Sequence, residues 1–567
     1  MTGKHTAQEH TETVEAVTHL TRRRLLQAGA AAGFVVAAGG RAPLTAGAIA
    51  ARQEEPTQTL VAAWAAGPNG TDLGFHASLR SIDIYRATTL TPLAFAPQAL
   101  GEVFVPDFSE LVPYAAESWE VSPDWTSITI ALRQGIMSPA GNELTADDVL
   151  YSYQRIEGTQ GHNWPFMQDA LKITSTDAVT KDDTYTYTIR SDGPYALLDI
   201  INAHAVFMIL DSAEYQAHAT DDDPWAVDWA GSNIAGHGAW QLTEYSPGQS
   251  WTLERNPNYF DPEALTGNVA SVVNRVVPES ANRVALLQAG SVDMAMDLES
   301  AELQSLESTP GVRVDHLPGN FLQWLGFSFG SPDAPQLDDP NVRQAIGHAL
   351  PFDELLARPY LNQAQQMTST VAPSYAGYDV ASTVWDRAQD LEQAKALLAE
   401  TEWPEGFTTT LHYNLNEPGQ EESAIIIRSA LAELGITVDL VQVQSADYFN
   451  LAFGGAGFPA LFIYKDMAGT PDVNFGTHLW LKSGHCCAPG NYSNDEVDAL
   501  FAEAQASPGD IDARAELQRQ IDDIALNQDP MGVPLQALGF HGASRENVGG
   551  WWWQSLNEVV WNKAWKQ

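Results

Sequence analysis

Cysteine is nearly absent from this chain of 567 residues: there are two, Cys486 and Cys487, and they are neighbours. Adjacent Cα atoms sit about 3.8 Å apart, below the usual disulfide span, so a bridge between them is strained and no disulfide framework exists. His478 and His485 lie nearby, but the four residues lack the spacing of a zinc site, and neither a metal nor a cofactor is expected. No apolar run approaches the ~20 residues that span a bilayer. The chain also lacks a G-x-x-x-x-G-K phosphate loop, an H-E-x-x-H helix and a dinucleotide-binding Gly motif, so nucleotide hydrolysis, zinc proteolysis and hydride transfer have no support. Repeats of solenoid length and low-complexity linkers are missing too. Positive charge is scarce: 29 basic residues, only 8 of them Lys, stand against 72 acidic ones, for a net charge of −43. Nucleic acid and anionic bilayers would meet a repulsive field, which excludes nucleic acid as a partner. An acidic, Lys-poor surface suits salty surroundings, or serves solubility alone.

What is present is core-forming material. A hydrophobic fraction of 44% and an aromatic fraction of 10% fill several cores, and the length exceeds what one core organises. The first 50 residues are a separate object. A polar stretch leads to Arg22-Arg23-Arg24-Leu25-Leu26, then to a weakly apolar run from Ala28 to Ala38, then to small residues ending in Ala48-Ile49-Ala50. This reads as a twin-arginine signal with an A-x-A-like cleavage site near Ala50, which predicts passage through the twin-arginine machinery. No Cys lies near the cleavage region, so the expected location is the periplasm or the outer face of the cytoplasmic membrane, without a lipid anchor.

Beyond the signal, Gln58–Trp64 reads as a buried first strand. Ser127–Arg133 and Thr184–Arg190 alternate as half-buried strands, with a helix from Thr145 to Ile156 between them, opened by a Thr cap and acidic first-turn residues. Further strands are predicted at Ser250–Arg255, Val292–Met296, Thr408–Tyr413, Thr437–Gln442 and Ala460–Tyr464. Helical spacing falls at Ser280–Ala289, Pro340–Leu350, Leu391–Glu400, Glu422–Leu434, Asn494–Gln505 and Asp512–Asn527. The class is α/β.

Five blocks in order carry a resemblance. They are Ala115 to Ile156 (with S-P-D and T-A-x-D-V), Gly236 to Tyr259 (with P-G-Q and L-E-R-N-P), Arg283 to Met296, Asp338 to Leu350 with its Asp-Pro helix start, and Ala394 to Phe407 running on to the helix at Asn494. In this order they resemble the bacterial extracellular solute-binding proteins of family 5, which include dipeptide-, oligopeptide- and nickel-binding members. The resemblance implies a two-lobed periplasmic-binding-protein-like fold of the type II cluster, with mixed sheets flanked by helices and an extra domain. Residues 51–90, 211–317 and 546–567 would form lobe I, 91–210 a small extra domain and 318–545 lobe II, with Val548 to Trp561 as a return strand. It also implies a monomer that closes by hinge motion over a small ligand, most simply a peptide, and presents it to the permease of an ABC importer, whose ATPase is a separate subunit. A stacked oligosaccharide or a nickel complex on the same scaffold remains open, the former because of seventeen Trp.

In the peptide-binding members a carboxylate on the loop A-D-Y-x-D-P-x-N-F holds the ligand's ammonium. The matching stretch here runs from Tyr464 to Phe475, and anchoring on Asn474-Phe475 puts the family's Asp on Ala468, with Asp466 two residues earlier. Tyr464, Lys465, Asp466 and Met467 are therefore the ligand-binding candidates on this loop, and Arg80 and Tyr85 those that follow the first strand; Asp466 is either the amine clamp or a loop acid paired with Lys465. One enzymatic alternative exists, since Gly326 to Gly330 spells G-x-S-x-G with Ser328 at its centre. A nucleophile elbow needs a helix next, and Ser331-Pro332-Asp333-Ala334-Pro335 cannot start one, so no enzyme is expected.

Overall fold

The computed structural model describes residues 56–567 apart from positions 76–77, 162, 165–166, 169–172, 205–206, 383–387, 454–456, 468, 486–487 and 555–557. The segment read as an export signal and the Cys486-Cys487 pair thus lie outside the described residues. One eleven-stranded sheet carries the fold. In sheet order its strands are Thr437–Val443, Thr408–Asn414, Leu461–Met467, Val312–Gly326, Gly532–Arg545, Met294–Met296, Gln58–Trp64, Val269–Val276, Ser250–Arg255 and Trp240–Ser246, with Gln365–Gln366 paired onto Gly532–Arg545. Gln58–Trp64 runs parallel to both Val269–Val276 and Met294–Met296. A strand flanked on both sides by parallel neighbours is buried on both faces, which is why it reads as a continuous apolar run.

Two long strands join the two ends of this sheet. Val312–Leu317 pairs with Phe540–Arg545 on one side, while Phe321–Gly326 pairs with Gly532–Leu538 and with Phe462–Met467 on the other. Pairing lapses between Leu317 and Phe321. Pro318 has no N–H to offer a ladder. At Gly319 an added Cβ would lie 2.6 Å from the Leu538 carbonyl oxygen, so only glycine lets the strands approach there. This lapse is where a hinge can bend without breaking ladder bonds.

A separate antiparallel sheet, Ala116–Val121, Ser127–Leu132, Thr186–Arg190 and Val179–Lys181, carries the helix Ala146–Thr159. Thr145 and Asp148 form a reciprocal capping box at its start, satisfying two otherwise orphaned donors. From this helix Arg155 reaches Asp72 beside the first strand in a buried two-bond ion pair at 2.5 and 3.1 Å, and donates to the Trp225 carbonyl.

The predicted helices form with small boundary shifts, at Ser280–Gln288, Pro340–Ala349, Leu391–Ala399, Gln420–Ala432 and Asp495–Gln505. The helix expected over Asp512–Asn527 instead ends as Ile511–Asp522 and continues as a π-turn, Asp523–Gln528. Asp522 is pinned at that junction, accepting from Ser369 Oγ at 2.6 Å and Thr370 N at 3.0 Å. The C-terminal segment is not one return strand but four short ones, Val548–Gly549, Trp552–Trp553, Val559–Val560 and Trp565–Lys566. Gly550 breaks it with φ +74°, a conformation glycine reaches without strain. Trp552 pairs with Phe104 on the strand Val103–Pro113, and Trp551 and Trp553 are fully buried.

Candidate functional site

A cleft of about 310 Å³ lies between the lobes. One wall is made by Ala65–Asn69, Ser78–Arg80, Asp297, Leu298 and Ser300, the other by Phe321, Asn416–Pro418 and Lys465, and the joining strand supplies Leu538–His541 as a floor. The first wall is built from local hydrogen bonds. Trp64 Nε1 donates to Asn274 at 2.8 Å, and the Ala65 N–H donates to Asp297 Oδ2 at 3.2 Å. Ser78 caps the helix Leu79–Thr88 by accepting from Ser81 N at 3.3 Å, and Ser81 Oγ donates to Asn69 at 2.9 Å. Arg80 is thereby fixed in the first turn of that helix, facing the cleft. Asp297 itself adopts φ +54°, unusual for a non-glycine residue and placed at the cleft wall.

The second wall follows from the two-residue period of a strand. On Leu461–Met467 successive side chains leave opposite faces. Lys465 takes the cleft face, where its ammonium pairs with Glu417 and stands 4.3 Å from the centre of the Phe321 ring. Tyr464 and Asp466 take the other face. There the Tyr464 hydroxyl donates to Asp466 Oδ2, Trp480 Nε1 donates to the same oxygen at 3.1 Å, and Trp480 packs edge-on against Trp324. The Asp466 charge is felt by the buried Tyr375 phenol, which burial pushes far above its ordinary value. Met467 ends the strand opposite Phe321, and Ala468 is outside the described residues. Of the candidates read from the sequence, Arg80 and Lys465 come together at the cleft.

Tyr85 does not join them. It is buried inside the first lobe, where its hydroxyl accepts from the Leu73 N–H at 2.7 Å beside the Arg155–Asp72 pair, and burial keeps the phenol protonated. One turn of helix separates it from Arg80, enough to point the two into different surroundings. Ser328 is buried as well, its hydroxyl donating to the Phe458 carbonyl. The strand before it stops at Gly326 and the next element is a short 3₁₀ turn, Pro335–Asp338, so no elbow forms. Among the described residues no group of three His, Cys, Asp or Glu is arranged to hold a metal, and no helix is long and apolar enough to cross a membrane.

Two cleft residues, Glu417 and His541, and Glu299 next to the lining residues Leu298 and Ser300 were not singled out by sequence reasoning. Glu417 comes in through its ion pair with Lys465. Glu299 Oε2 accepts from the Gly419 N–H at 3.2 Å, a hydrogen bond that crosses from one lobe to the other. His541 faces His316 across the joining strands, with ring centres 5.0 Å apart; burial first and then the charge of His316 push its pKa down to about 4. None of these has a motif, and the register that brings them together is set by pairings far apart in the chain.

Residues 110–485 match the family described as Bacterial extracellular solute-binding proteins, family 5 Middle. Heme-binding protein A of Haemophilus influenzae is 26% identical over 451 residues, covering 76% of this chain and 80% of that protein. The probable D,D-dipeptide-binding periplasmic protein of Escherichia coli is 27% identical over 462 residues, covering 79% and 83%. Among solved structures, an ABC transporter-associated periplasmic binding protein from Helicobacter pylori in complex with the peptide STSA superposes with a TM-score of 0.76 at 24% identity, over 89% of this chain and 98% of that one. The chain belongs to the family 5 extracellular solute-binding proteins.

Proposed function

We propose that this family member captures a peptide in the cleft between its lobes, closes over it by bending at Pro318 to Asn320, and hands it to the permease of an ABC importer. The observation that carries the reading is the cleft itself. Its walls come from different lobes and its floor is the pair of strands that joins them, so a ligand touching both walls stabilises one relative lobe position over others. Relatives named for peptides, and the peptide complex of the Helicobacter pylori protein, favour a peptide as the ligand. Arg80 and Lys465 are the residues proposed to meet it. Asp466 is assigned a supporting part, holding Tyr464 and Trp480 behind the second wall. The lobe assignment that accompanies this reading takes 51–90, 211–317 and 546–567 as lobe I, 91–210 as the extra domain and 318–545 as lobe II. Export by the twin-arginine route through residues 1–50 belongs to the same proposal. Replacing Arg22, Arg23 and Arg24 together by Lys should leave a reporter fused behind residue 50 in the cytoplasm.

Native mass spectrometry of the mature protein tests the ligand. A co-purified peptide, recovered unchanged and raising the melting temperature when added back, is the expected result. A saccharide or metal complex in its place would overturn the peptide assignment.

A further inference from the structure

We propose that Arg80 is an anion receptor, so that the ligand of this cleft carries a carboxylate seated on the Arg80 guanidinium; the inference rests on the peptide reading above and names the ligand chemistry within it. The argument starts from what a guanidinium requires. It offers five N–H donors in a fixed plane, it remains charged inside proteins, and buried donors in folded proteins are satisfied almost without exception.

Four other deeply buried arginines make hydrogen bonds of this kind, and Arg514, with an unpartnered Nε, still donates through Nη1 to Asp472 at 2.8 Å. Arg86 donates to Glu558, Thr91 and the Ala203 carbonyl. Arg155 donates to Asp72 and the Trp225 carbonyl. Arg283 is held by the carbonyls of Val277, Pro278, Met296 and Asp297. Arg343 donates to Pro530, Leu337 and Asp529.

Arg80 differs in making an ion pair with Asp83 and no hydrogen bond. It is only 6% exposed and lines the cleft, yet its Nη1 lacks a hydrogen-bond partner. Its single carboxylate neighbour, Asp83 one turn on, approaches to 2.9 Å, but not in hydrogen-bonding geometry. Asp83 is also a weak counter-charge. Burial pushes its pKa up to about 7 against the pull of Arg80, and its Oδ1 is already occupied by the Val559 N–H. Trp64 supports the guanidinium from one face, 3.9 Å from ring centre to guanidinium carbon, and a stacked guanidinium keeps its N–H edge free for a planar acceptor.

The remaining charges at the cleft do not fill that edge. Asp297 is engaged with the Ala65 N–H, and Glu417 with Lys465 across the cleft. A buried, stacked cation that lines a cavity and makes no hydrogen bond within the chain is suited to carboxylate recognition. A peptide offers that group from its C-terminus or from an acidic side chain.

The test uses three pools of tripeptides incubated with the mature protein and read by native mass spectrometry: uncharged sequences as free acids, the same sequences as C-terminal amides, and amides containing one Asp or Glu. Wild type should retain the first or third pool over the second by roughly tenfold or more, and which of the two is retained identifies the source of the carboxylate. Arg80→Gln should lose that preference, and Arg80→Lys should recover only part of it because the planar fork is gone. The melting temperature of each unliganded variant reports that it has folded. Equal retention of uncharged amides by wild type, or an intact preference in Arg80→Gln, would overturn the anion receptor and leave the peptide reading standing. Retention of no pool at all would bring down the peptide reading, and this inference with it.

Discussion

Arg80 and Arg86 sit on one helix, Leu79–Thr88, both are buried, and they are opposites in their surroundings. Arg86 is finished: Glu558 at 2.6 Å, Thr91 at 3.2 Å and the Ala203 carbonyl at 3.3 Å tie the helix to the C-terminal segment and to the region before residue 210. Arg80 is unfinished and faces a cavity. The same residue type six positions apart thus divides into a structural cross-link and a group held ready for something outside the chain. Burial alone does not separate the two; the hydrogen-bond inventory does.

The sharpest way to break this contrast is to cut both arginines. Arg86→Gln removes the guanidinium from the fully buried Glu558 carboxylate, and breaking one partner of a buried pair costs about 3–5 kcal/mol. Chemical denaturation should show a loss of that order. Arg80→Gln also breaks a buried ion pair, with Asp83 at 2.9 Å, but it loses no hydrogen bond and leaves an acid already raised to about 7 that takes up a proton, so its loss should be smaller, about 1–2 kcal/mol. Comparable losses in both variants would erase the distinction.

Asp83 sharpens the comparison through pH. Its folded pKa of about 7 lies above its ordinary 3.8, so the native state binds the proton more tightly than the unfolded chain. The stabilisation is whole below pH 4 and is lost as pH rises through 7. Asp83→Asn should therefore flatten the stability curve across that window by a few kcal/mol at most, measured as melting temperature against pH. His541, pushed down to about 4, contributes the opposite slope, with stability lost as pH falls from about 6.5 towards 4. The flattening must therefore be read as a difference between variant and wild type.

The smallest effect sets the floor of the scale. Ser328→Ala removes one buried hydroxyl that bonds only a carbonyl, and should cost about 1 kcal/mol with no change in ligand retention.

Much of the fold was legible because its signals are local. Gln58–Trp64 and Ser250–Arg255 form with the predicted limits, and Thr145 caps its helix as its sequence suggests. The strand Gly532–Arg545 was missed. Pro534, Gly539 and Gly542 disguise it, and it is held by partners more than two hundred residues away, at Val312–Gly326 and Met294–Met296. The site was legible only in part for the same reason. Sequence placed Tyr464, Lys465 and Asp466 together, but a strand sends neighbours to opposite faces, and long-range register decides which face meets the cleft. Arg80 could be nominated from its place after the first strand. That its donors are unfilled is a property of everything packed around it.

In the closure proposed above, the two strands that join the lobes would act as a torsion spring. Because Val312–Gly326 and Gly532–Arg545 stay hydrogen-bonded on either side of the lapse at Pro318 to Asn320, the ribbon can store elastic energy in twist without melting. Its stiffness sets how much of any ligand's binding energy is spent on bending. A side chain at Gly319 would push the two strands apart at that flexure and weaken every ligand alike, whereas altering Arg80 would re-rank them.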